Sequence, residues 1–135
     1  MLILDELYNT AVFEVSSDEL IRILKEIKNK KEIDIDLLKY KIHMFEKKKR
    51  IEEAYYQSLS TFRKIFTGRP PGHHQAVEYL VNVKERFNEI EMIKQNIITL
   101  NSILSLLEAE PDKREIVLSP SLIEEIRKWQ ETEGN

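Results

Sequence analysis

The chain has 135 residues, the usual length of one domain, and 41% of them are hydrophobic, enough for a core without covalent staples. It has no cysteine, which excludes a disulfide framework and a thiolate metal centre, and its three glycines and four prolines are too few turn formers for an all-β fold. A net charge of −3 excludes a global pull towards nucleic acid or anionic membrane.

The N-terminus, MLILDELY, has no basic start and meets Asp5 and Glu6 at once, so it does not read as a signal peptide. No apolar run reaches the roughly 18 residues that a membrane span needs. These features predict a cytoplasmic protein without a membrane partner, and the richness in Lys, Glu and Ile points to a thermophile. Leu2 to Thr10 reads as a short helix with Leu4, Leu7 and Tyr8 on one side. Val12 to Val15 is a brief β-like run. Ser16-Ser17-Asp18-Glu19 then fits a capping box, with Ser16 as N-cap and Glu19 three residues on. Leu20, Leu24 and Ile27, with Ile23 beside them, give the helix that follows one apolar face.

The polar run Lys28 to Glu32 predicts a helix end, and Asp34 or Asp36 a new N-cap. The next helix carries Leu38, Ile42 and Phe45 in a first stripe and Ile51, Tyr55, Leu59, Phe62 and Phe66 in a second. From residue 36 to 66 it would be on the order of 45 Å long. Gly68-Arg69-Pro70-Pro71-Gly72 is the strong breaker, so the following helix is expected to run back antiparallel. That helix, from about His74 to Leu107, places Ala76, Leu80, Val83, Phe87 and Ile90 on one stripe. Ile93, Ile97, Leu100, Leu104 and Leu107 continue it, and Ile98, Ile103 and Leu106 widen it past one face. After a turn at Glu110–Lys113, Ile116 to Leu118 is a second β-like run. Ser119-Pro120 opens a last helix, with Leu122, Ile126 and Trp129 on one face. The expected fold is all-α: a long antiparallel helical hairpin with shorter flanking helices, and a minor two-stranded β element if the two short runs pair. The expected division is a helical bundle domain over 1–110 and a C-terminal extension with one helix over 111–135.

Catalytic constellations are scarce. His43, His73 and His74 have no HExxH or cysteine partner, and adjacent helical residues diverge by about 100°. The acidic pairs Glu52-Glu53 and Glu89/Glu91 fit solvated helix faces. The loop at 68–72 lacks the spacing and ending of a phosphate loop. We therefore expect no enzyme activity, no metal and no cofactor. Charge is unevenly spread: from Lys39 to Arg69 nine Lys/Arg face three Glu, a local balance of +6. Lys47, Lys48, Lys49 and Arg50, with Arg63, Lys64 and Arg69, form a candidate contact for nucleic acid or an acidic partner. Four consecutive cations spread round a helix, so any nucleic-acid binding is expected to be weak and salt-sensitive. Tyr55 and Tyr56 offer stacking faces, although Tyr55 fits the apolar stripe.

The apolar content speaks for a protein partner. Long helices with continuous stripes exceed what a compact bundle of this mass requires, and the cheapest cover is another subunit, self or paralogous. The expected interface joins Tyr55, Leu59, Phe62 and Phe66 to Ile97, Ile98, Leu100, Ile103, Leu104 and Leu107.

The order of segments resembles the helical domain of GINS subunits of the class with its helical domain first. The resemblance lies in DELYNTAVFEVSSDELIRILKEI, then KYKIHMFEKKKRIEEAYYQSLSTFRKIF, the break TGRPPG, and EYLVNVKERFNEIEMIKQNIITLNSILSLL. It covers most of residues 2–108 and rests on layout and texture. That class carries a small β-rich domain after its helices, whereas the residues after Glu108 read here as a short β run and a helix. The resemblance implies a scaffold without an active site. Its partners would be paralogous subunits, the replicative helicase and a Cdc45-type protein. A second reading is a small helical nucleic-acid-associated subunit, for example of an RNA-guided complex. A third is a viral or phage helical regulator that binds a host protein.

Overall fold

The structure, a computed structural model, describes residues 1–58 and 77–133. Three strands and three helices occur among them: β1 (Leu2–Asp5), β2 (Ala11–Glu14), α1 (Ser17–Ser58), α2 (Glu85–Ala109), β3 (Glu115–Leu118) and α3 (Pro120–Glu133). A π-helical turn, Leu80–Lys84, leads into α2. The fold is mostly helical with a minor β element, as expected. The sheet has three strands, in the order β2-β1-β3. The breaker at 68–72, with His73 and His74, lies outside the described residues.

The chain divides into two compact units, Met1–Glu32 with Asn96–Asn135, and Ile33–Gln95. The first is the sheet unit. Its strand β1 is the centre, antiparallel to β2 and parallel to β3, with Ile3 opposite both Phe13 and Ile116. The segment Leu2–Thr10 is thus not the short helix that its apolar spacing suggested. Leu2-Ile3-Leu4 is a continuous apolar run, which suits a strand paired on both edges. The turn after β1 is built by Asp5, whose Oδ1 accepts from Leu7 N at 2.7 Å and whose carbonyl accepts from Asn9 N at 2.7 Å. Asn9 takes the left-handed conformation, φ 53°, that Asn tolerates better than most residues.

The helix starts expected at Ser16 and Ser119 are present. Ser16 Oγ accepts from Glu19 N at 3.1 Å, and Ser119 Oγ accepts from Leu122 N at 3.3 Å with Pro120 as the first helical residue. The apolar faces they launch, among them Leu20, Leu24, Ile123 and Ile126, close over Ile3, Ile116 and Leu118 from the sheet and Leu100, Leu104 and Leu107 from α2. Within this unit α1 and α2 run antiparallel: Lys25 meets Glu108 at 3.7 Å, and Glu32, further along α1, lines a groove with Asn101, further back on α2. Helix α3 is tied to α1 by Trp129 Nε1 donating to Glu26 Oε2 at 2.5 Å and by Lys31 Nζ with Glu125 Oε1 at 3.1 Å. Residues 111–133 are therefore no appendage. They supply an edge strand and a wall of the core, so the division expected at residue 110 is not where the compact units part.

The second difference lies in α1. The polar run Lys28 to Glu32 does not end the helix, which continues from Ser17 to Ser58. Lys and Glu are good helix formers, and side chains of Asp34 and Asp36 project from its interior without capping a new start. The helical unit comprises residues 33–58 of α1, the turn of helix before Leu80, the π turn and the first residues of α2. Its buried apolar residues are Ile35, Leu38, Ile42, Val83 and Ile90.

Candidate functional site

The expected interface is split by the structure. Leu100, Leu104 and Leu107 are buried in the core of the sheet unit, and Ile103 packs against it, half-buried. They cover the chain's own β1 and β3 side, so they are not available to a partner. Ile97 is half-buried, and Ile98 stands 56% exposed. Of the three residues that widen the stripe, Ile103 packs against this core, whereas Ile98 and Leu106 are exposed. Tyr55, expected in the interface, is exposed, as is Ile51. Leu59, Phe62 and Phe66 lie outside the described residues, as do Arg63, Lys64 and Arg69.

Uncovered apolar surface concentrates in the helical unit. Among the described residues, twelve of the seventeen exposed large apolar side chains belong to residues 33–95, against five buried there. The described residues of this unit thus expose more large apolar side chains than they bury, which is unusual for a free domain surface. On α1, Ile33, Leu37, Tyr40, Met44, Ile51 and Tyr55 are each 42–64% exposed. The buried residues Ile35, Leu38 and Ile42 lie about 150° round the same helix, at 100° per residue. Helix α1 is therefore apolar on two nearly opposite faces. One is used inside the unit and the other faces out. Leu38, Ile42 and Phe45 mark the first in the sequence stripes, which include only Ile51 and Tyr55 of the second. Its signal, the spacing 33, 37, 40, 44, was present.

The basic run adjoins this outer face. Lys47, Lys48 and Arg50 are exposed. Lys49 differs: it is half-buried, ion-paired with Glu78, and its Nζ lies 5.8 Å from the Phe45 ring centre. The hydrogen bond to Glu78, then the Glu78 and Glu52 charges, hold its pKa above the ordinary 10.5 against a smaller opposing effect of desolvation. A raised lysine pKa contributes stability that is complete below 10.5 and is lost as pH rises through the folded value. Replacing Lys47, Lys48 and Arg50 together by Gln is expected to change stability by no more than about 0.5 kcal/mol. Lys49→Gln is expected to cost up to about 1 kcal/mol, since the pair is about a third exposed and screened. Urea titrations should show that cost constant from neutral pH to about 10 and shrinking above 10.5. A triple variant more damaging than Lys49→Gln would contradict this placement.

The rest of the surface offers ordinary chemistry. A groove of the sheet unit is lined by Lys25, Lys28, Asn29, Glu32, Asn101, Leu104, Ser105 and Glu108, a polar and open set. Among the described residues no three His, Asp or Glu converge on a metal-sized site, and no helix is long and apolar enough to cross a membrane. His43 is exposed on α1. The π turn has its own local cause of order: Asn82 Nδ2 donates to the Glu78 carbonyl at 2.9 Å, and Arg86 Nη1 to the Asn82 carbonyl at 3.3 Å. Val83, within this turn, is the residue that enters the core of the unit. Comparison with protein-family models, curated proteins and solved structures gives no match.

Proposed function

We propose that this chain is a non-catalytic helical assembly subunit that works by presenting the outer apolar face of residues 33–95 to another protein. The observation that carries the reading is the excess of exposed over buried large apolar side chains in that unit. Its narrower form, from the resemblance of segment order, is a GINS-type replication factor that joins paralogous subunits and links the replicative helicase to a Cdc45-type partner.

Light scattering coupled to gel filtration tests this. The chain is run alone and with a helicase subunit and a Cdc45-type protein, and in parallel with single- and double-stranded oligonucleotides at low and high salt. A protein complex that persists at high salt supports the assembly reading, and formation with the replisome proteins supports its GINS form. The nucleic-acid reading, favoured by the exposed Lys47, Lys48 and Arg50, requires binding that collapses with salt. A chain that forms no protein complex with itself or with those proteins would overturn the assembly reading.

A further inference from the structure

The outer face of α1 has the spacing of a coiled-coil seam. Ile33, Leu37, Tyr40, Met44, Lys47, Ile51 and Ala54 follow one another at alternating intervals of four and three. That repeat suits packing along a second helix with the same period. The flanking positions are divided by sign. Asp34 and Asp36 border the seam at one end and Lys48 and Arg50 at the other, with Lys41 and His43 flanking its middle, where Lys41 comes near its own copy at the rim. We infer that this face docks on the same face of a second copy of the chain, with the two helices antiparallel. The inference rests on the assembly reading and names its partner.

Antiparallel pairing centred near Ile42 sets Ile33 opposite Ile51 and Tyr40 opposite Met44 of the other copy. It sets Asp34 beside Lys48 and Asp36 beside Arg50, each twice by symmetry. Lys47, the polar residue inside the seam, then faces Leu37. In parallel register Lys47 would face its own copy, a like-charge contact in the middle of the interface. A lone polar seam residue of this kind sets orientation and register at a cost in affinity. The area is also sufficient. The five large apolar side chains of the seam, about half exposed, offer roughly 100 Å² each, so two faces together remove on the order of 1,000 Å², the threshold for a specific interface.

Sedimentation equilibrium from about 1 to 200 µM tests self-association on full-length chain. Wild type is expected to form a dimer. Met44→Glu, at a half-exposed position where helix content should be unchanged, is expected to weaken it about tenfold or more. Asp34→Lys with Asp36→Lys, and separately Lys48→Glu with Arg50→Glu, should each be mainly monomeric, and mixing the two should restore a heterodimer. The cysteine-free background adds an orientation test: Tyr40→Cys mixed with Met44→Cys should cross-link to each other in preference to themselves. Preferential like-with-like cross-links would overturn the antiparallel arrangement. A dimer untouched by Met44→Glu, or a wild-type monomer at 200 µM, would overturn the inference. The assembly reading falls only if the monomer also binds none of the candidate protein partners.

Discussion

Replacing Ile126 by Asp is expected to unfold the sheet unit. Ile126 is fully buried, in a core that draws on β1, β2's exit at Val15, both long helices and α3. A carboxylate placed there has neither water nor a partner cation, and the apolar contacts of the isoleucine are lost as well. Together these effects should exceed about 4 kcal/mol, against a total stability of about 5–15 kcal/mol for a domain. Urea unfolding followed by circular dichroism should show an early or absent cooperative transition. Ile126→Val should cost only about 0.5–1.5 kcal/mol. An Asp variant within 1 kcal/mol of wild type would mean that α3 does not close this core, and that residues 111–133 are the appendage their sequence position suggested.

The second large effect is expected at Glu32. The structure places this exposed residue inside an unbroken α1. Proline there removes an intrahelical hydrogen bond and pushes its ring against the carbonyl four residues back, a cost of about 3 kcal/mol or more. Glu32→Ala, with a better helix former at a solvated site, should be neutral or slightly stabilising. Were residues 30–35 a loop before a helix capped at Asp34 or Asp36, the proline would be nearly silent. Thermal melts of the two variants decide between these cases.

That contrast shows where the sequence was legible. Caps at Ser16 and Ser119 were readable because side-chain oxygens at those offsets have one common use. Stripes through Leu20–Ile27 and Leu122–Ile126 were readable because one buried face leaves a helical period. The helix end expected at Lys28 to Glu32, with a new cap at Asp34 or Asp36, was misread because Asp favours caps in isolation, whereas the turns of Lys, Glu and Ile around it carry the helix through. Strand β1 was misread for a different reason. A short apolar run has no period, and what makes Ile3 a central strand residue is Ile116, more than a hundred residues away. No local pattern records such a parallel pairing.

The candidate site was half legible for the same physical reason. Apolar residues at 97–107 and 33–55 look alike in sequence, yet Leu100, Leu104 and Leu107 meet the sheet while Leu37, Tyr40 and Met44 meet solvent. Only the fold decides which stripe is already covered. A helix with two apolar faces also hides one of them, because the eye follows Leu38 and Ile42 and assigns Leu37 and Tyr40 to chance.

Hydroxyl-radical footprinting of the chain in its assembled state tests the central claim most directly, because it reads whether the outer face of α1 is covered. Tyr40 and Met44 report that face, and Tyr8, 76% exposed in the sheet unit, serves as the reference. The account predicts that Tyr40 and Met44 lose several-fold in oxidation rate between dilute and assembled samples while Tyr8 is unchanged. Equal reactivity of Tyr40 and Met44 in both samples would contradict it.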